Sequence, residues 1–230
     1  MRPHELLEPH QRVTLGKMTQ PVRGFLHGGA AVASLIGLAV LLVQARGELG
    51  RGLAVLVFGL SLVALYTVSA LYHSIPWGQV WKKRMQRLDH SMIYVLVAGT
   101  YTPIGVIVFH GWLRWGTLAA QWGIVTVGIA QKAFFPGFRN WLAVALPTTQ
   151  GWLALFLLVP LARHLPWTAI LLLLAGGVAY TVGMVLLVTG HPRLWPRAFS
   201  YHEVFHLLVV AGSGLHFATT LRYVVPFAQG

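Results

Sequence analysis

Two histidines four residues apart stand in the stretch His202-Glu203-Val204-Phe205-His206. On a helix that spacing puts both imidazoles on one face, where they can chelate a single metal ion. An isolated pair of this kind also serves simply to hydrogen-bond neighbouring helices or headgroups. The pentapeptide matches the H-E-x-x-H pattern of zinc metalloproteases, in which the Glu is the general base. The longer form of that pattern fails here, because position 212 is Gly and no acidic residue follows His206. His216 is about 15 Å further along the helix and cannot reach the same ion. Glu203 lies about 100° round the helix from His202, so it reads as a helix-start carboxylate, favoured by the dipole and paired with Arg197 or a neighbouring helix; the alternative is an intramembrane metalloprotease, with Glu203 as base and a third ligand from the second span.

Two further groups carry chemistry-bearing side chains. Ser69-Ala70-Leu71-Tyr72-His73 offers a third imidazole with a hydroxyl one turn before it on the same face. Arg87-Leu88-Asp89-His90 offers a carboxylate, one of five acidic residues in the chain. Three neutral nitrogens and a water make the usual composition of a catalytic zinc site, with the fourth position open. Each residue also has a plainer reading: Asp89 as a helix N-cap beside Arg84 or Arg87, Ser69 as a small-residue helix contact, His73 as a side chain reaching for headgroups. With no cysteine in the chain, thiolate sites and disulfides are excluded.

The elements that must position these groups are membrane helices. The chain is 56% hydrophobic and 10% charged, with mean hydropathy +0.67; soluble domains carry about 25% charged residues. Apolar runs predict seven spans at 22–45, 52–75, 88–109, 112–131, 141–162, 167–189 and 200–226, preceded by a cytoplasmic segment 1–21. All are expected to be helical, since backbone groups in hydrocarbon must be satisfied within their own segment. The first begins too late for a cleaved signal peptide, and no internal repeat is present. Twelve of the 17 Lys and Arg fall on the N-terminal side of the seven-span arrangement and five on the other. That asymmetry predicts a cytoplasmic N-terminus and an external C-terminus. The net charge of +12 is therefore topology and contact with anionic lipid, and nucleic-acid binding is not expected. In this arrangement His73, Asp89, His202 and His206 share one depth, the cytoplasmic leaflet, and ionisable groups within spans are costly enough to mark a site.

Taken together these stretches resemble the haemolysin III family of the progestin and adipoQ receptor superfamily. The resemblance is carried by Ser69–His73, Arg87–Tyr94, Ala98–Pro103, Lys132–Gly137 and His202–Leu207, in the family's order and over nearly the whole chain. It implies a zinc ion held by His73, His202 and His206, with Asp89 holding or deprotonating a water at the ion and Ser69 close by. One stretch departs from the family pattern. Pro21–His27 has no acidic residue and carries Leu26 where Thr is usual, so His27 reads as a helix contact, with a place behind the metal ligands as the alternative. His90, Tyr94 and Tyr101 are likewise left outside the predicted site.

The wider superfamily includes receptors with ceramidase activity, which implies a hydrolase acting on an amide in a membrane lipid that enters laterally from the bilayer. The location implied is a bacterial inner membrane. A zinc-stabilised receptor or sensor without turnover is the alternative, with no cytoplasmic domain to signal through. A pore-former is expected to have a soluble form with amphipathic segments, and this chain is embedded throughout.

Overall fold

The computed structural model describes residues 14–134, 142–195 and 197–227. Among them the regular elements are all helices: α1 Pro21–Gln44, α2 Leu49–Ser74, α3 Gln79–Pro103, α4 Gly111–Phe134, α5 Leu142–Trp152, α6 Leu158–His164, α7 Trp167–Thr189 and α8 Tyr201–Thr219. Residues 1–13 of the expected N-terminal segment lie outside the described residues, as do Arg139 and the 135–137 part of the fourth family motif.

Helix boundaries follow local chemistry. Pro21 starts α1, where its missing N–H is no loss. Gly190 ends α7 at φ 70°, the left-handed turn that a residue without Cβ adopts freely. Pro103 cannot donate to the ladder, and α3 continues past it as a π-helical turn, Ile104–Val108, sealed by the Phe109 N–H on the Ile104 carbonyl at 3.2 Å. The predicted span 141–162 is not one continuous helix: Pro147 lies inside α5, a 3-10 turn covers Leu153–Leu157, and α6 completes the segment. α3 starts at Gln79 rather than at 88, and its extra turns carry Lys82, Lys83, Arg84 and Arg87, all exposed.

Among the described residues six helical segments are long and apolar enough to cross a membrane: Pro21–Gln44, Leu49–Ser74, Gln79–Val108, Ala145–His164, Trp167–Thr189 and Tyr201–Val224. α4 is not among them, although it has 24 residues. Arg114, Gln121, Gln131 and Lys132 dilute its hydropathy, and Gln121 is fully buried, with its Nε2 donating to the Gln150 carbonyl of α5 at 3.2 Å.

α1 packs on α2, α2 on α3, and α7 on α8. The α7–α8 crossing is tight because a Cβ at Gly176 would lie 2.3 Å from His216 Nε2, and one at Gly212 would lie 2.7 Å from Tyr180. Small residues let helix backbones approach this closely, and packing replaces the hydrophobic effect as the force between helices in lipid. At the far end Arg51 of α2 donates to the carbonyls of Val225 and Phe227, which satisfies groups that the end of the last helix leaves open. Between the helices lies a cavity of about 270 Å³, lined mostly by apolar side chains of α2, α3, α5, α7 and α8.

Candidate metal centre

The start of α8 is set by its own sequence. Ser200 is the N-cap, and its N–H donates to Glu203 Oε2 at 2.8 Å, half of a capping box. With the first turn fixed at Tyr201, His202 and His206 fall one turn apart on one face. His73 stands in the last turn of α2, where the Thr19 hydroxyl also donates to its carbonyl at 2.8 Å.

The three rings form a nearly regular triangle. Ring centroids are 5.2 Å apart for His73 and His202, 4.9 Å for His73 and His206, and 5.0 Å for His202 and His206. One nitrogen of each ring lies within 4.8 Å of the other two. Around a tetrahedral ion with metal–nitrogen bonds of about 2.0–2.1 Å the nitrogens would stand about 3.4 Å apart, a change within reach of side-chain rotation. His206 is 1% exposed and its Nδ1 is buried without a hydrogen-bond partner. The donor set, three imidazoles and no thiolate, suits zinc among the common metals.

His73 is held in the tautomer that a ligand needs. Its Nδ1 pairs with Gln20 Oε1, an acceptor, so Nδ1 carries the proton and Nε2 keeps the lone pair. Gln20 Oε1 also accepts from Arg23 Nη1 at 3.0 Å, and Arg23 Nε donates to Glu203 Oε1. A relay therefore runs from Glu203 on α8 through Arg23 on α1 to Gln20 and His73. Glu203 thus has one oxygen on Arg23 and the other on the Ser200 N–H, and it does not line the cavity. Its partner is Arg23 of a neighbouring helix rather than Arg197, which is exposed.

Ser69 and Asp89 do line the cavity, together with the three histidines. Asp89 is half-buried within α3 and lies near Ser69, which stands one turn before His73. Lying ten residues into the helix, Asp89 is no N-cap. The carboxylate, the hydroxyl and the three imidazoles thus line one largely apolar cavity. That is enough to hold an ion on one side and to take a proton on the other.

The sequence of the whole chain compares with known proteins in the same sense. The family described as "Haemolysin-III related" matches residues 16–217. The chain belongs to the haemolysin-III family. It is 36% identical to "Hemolysin-3" of Bacillus cereus over 220 residues, 93% of this chain and 97% of that protein. Against "Hemolysin-3 homolog" of Bacillus subtilis (strain 168) the identity is 32%, covering 86% and 91%. The human "Monocyte to macrophage differentiation factor" is 21% identical, covering 87% and 82%. The family sits within the progestin and adipoQ receptor superfamily.

In this haemolysin-III protein three residues at the centre are missing from the sequence-based site: Gln20, Arg23 and His27. His27 is 3% exposed and stacks on His206, with ring centroids 3.9 Å apart and planes 25° apart. Its other face meets Tyr66 edge-on at 5.0 Å, and both its nitrogens are buried without a hydrogen-bond partner. The signal was the polar set 20, 23 and 27, at helical spacing along an otherwise apolar stretch. His90 and Tyr101 also line the cavity; Tyr94 does not.

Proposed function

We propose that this protein is a zinc-dependent, membrane-embedded hydrolase of a lipid amide, ceramide-like bond, with His73, His202 and His206 as ligands and Asp89 as base. The observation that carries the reading is the three-imidazole cluster in the wall of an apolar cavity that Asp89 also lines. Structural zinc sites are normally closed by four protein ligands, whereas three ligands and a neighbouring acid leave room for a reacting group. Zinc, when bound, supplies a Lewis acid for the carbonyl and lowers the pKa of water towards 7.

The chain's own residues do the rest. Asp89 takes a proton from the attacking water and returns it to the leaving amine. Ser69 orients the Asp89 carboxyl, and Gln20 keeps the His73 lone pair on Nε2. The cavity takes the acyl chain of a lipid that enters laterally from the bilayer. Seven spans, with α4 as the fourth and the α5–α6 segment as the fifth, place the N-terminus in the cytoplasm and the C-terminus outside. The site then faces the cytoplasmic leaflet of the inner membrane.

A receptor or sensor without turnover is the second reading, favoured by the relay that ties α1, α2 and α8 round His73, since an ion there would clamp α2 to α8 next to it. Both readings require the same ligands. Purified protein is expected to carry about one zinc per chain, and His73→Ala, His202→Ala and His206→Ala each to lose it, because two remaining ligands hold zinc poorly. Full zinc occupancy in all three variants, measured by elemental analysis, would remove the assignment.

A further inference from the structure

We infer that Lys82 and Lys83 form a binding site for the phosphate of a lipid headgroup at the mouth of the cavity. The site deepens the hydrolase reading by naming the class of lipid, and its binding is measurable without turnover.

The argument is one of helical register. Along α3 the cavity is lined by Gln86, Asp89, His90, Ile93, Leu96 and Val97. At about 100° per residue, Asp89 and His90 lie about 60° and 40° to either side of Gln86, and Lys82 and Lys83 about 40° and 60°. The two lysines therefore continue the cavity-lining face beyond the cavity. Gln86 both lines the cavity and is exposed, so the opening lies at this point of the helix, and Lys82 and Lys83 are exposed just past it.

Arg84, the next cation along the helix, is placed differently. Arg84 lies about 160° from Gln86, and its guanidinium sits over the Trp81 ring at 5.0 Å. Trp81 and Val80 are 55% and 64% exposed, as side chains at a membrane interface are. Neither lysine has an ion-pair partner among the described residues. The backbone positions of these two unmatched lysines thus lie about 9 Å (Lys83) and about 10.5 Å (Lys82) along the helix axis from Asp89. A lipid whose acyl chain fills the cavity and whose carbonyl lies by Asp89 brings its headgroup to that level. A phosphate there meets both lysines; a neutral headgroup meets nothing of complementary charge.

The test uses the full chain in neutral detergent and two probes with the same fluorescent acyl chains, a phosphatidic acid and a diacylglycerol, which differ only in the phosphate. Anisotropy titration should give roughly tenfold or tighter binding of the phosphatidic acid, as two juxtamembrane cations supply. K82Q/K83Q should abolish that preference with zinc content and thermal midpoint unchanged, and R84Q should keep it. Millimolar inorganic phosphate should not displace the lipid. Equal binding of the two probes, an equal loss in R84Q, or full displacement by inorganic phosphate would each overturn the site. If preference and its loss in K82Q/K83Q are seen while the zinc-loaded protein releases no fatty acid from extracted membrane lipids, the hydrolase reading falls and this site stands. Hydrolysis with no preference overturns this site alone.

Discussion

The orientation of the His73 imidazole depends on residues outside its own helix. The Nδ1 proton is held by Gln20, and Gln20 in turn by Arg23, which also donates to the buried Glu203. Loss of an outer partner of a metal-ligating histidine typically costs about 10–100-fold in metal affinity. Gln20→Ala should therefore weaken zinc binding by that factor while leaving a site that saturates at higher zinc, measured by competition with a chelator. Arg23→Ala is expected to act on stability as well. It strands a carboxylate that is 6% exposed, and breaking a buried pair from one side costs about 3 to 5 kcal/mol. An Arg23→Ala protein with the parent's unfolding midpoint would show that Glu203 has another partner.

At the scale of the helices, the close crossing of α7 and α8 makes a sharper prediction than any single hydrogen bond. Gly176→Ala puts a methyl against the His216 ring, which is itself fixed by Nε2 on the Leu173 carbonyl at 3.1 Å, and against the Gly212 carbonyl at 3.1 Å. Such overpacking costs about 1–3 kcal/mol. A Cβ at Gly177 meets nothing within 4 Å, so Gly177→Ala should change thermal stability by no more than about 0.5 kcal/mol. Equal midpoints for the two variants would contradict the crossing.

Helices were readable from the apolar runs because hydrocarbon leaves the backbone no alternative. The pairing of His202 with His206 followed from their spacing, and the shared level of His73 and Asp89 from charge counts. Contact did not follow. Arg23 and Glu203 are 180 residues apart, and nothing local in Pro21–His27 says which helix it faces. His27 was set aside because its surroundings depart from the family pattern, yet stacking on His206 depends on the packing of α1 against α8 and not on Leu26. The early start of α3 was missed for a related reason: Lys82, Lys83, Arg84 and Arg87 end the apolar run but not the helix, which continues into the interface.

For the molecule as a whole, the central expectation is one orientation in the membrane. Reporter fusions after residues 80, 135 and 195 should report the cytoplasm, and fusions after 48, 110, 164 and 230 the exterior, if α4 crosses despite its polar face. An external signal after residue 80 would place the site in the other leaflet. Signals after 110 and 135 on the same side would leave α4 uncrossed and reduce the count to six.

The most direct test of the hydrolase reading is fatty-acid release from extracted membrane lipids by purified, zinc-loaded protein, comparing the parent with Asp89→Ala and Glu203→Gln. The parent should release fatty acid and stop when zinc is chelated. Asp89→Ala should keep its zinc, since the three histidines still hold it, and be slower by about 10² to 10⁴, the usual contribution of a general base. Glu203→Gln should stay active. No release from a fully zinc-loaded parent, or an active Asp89→Ala beside a dead Glu203→Gln, would contradict the account.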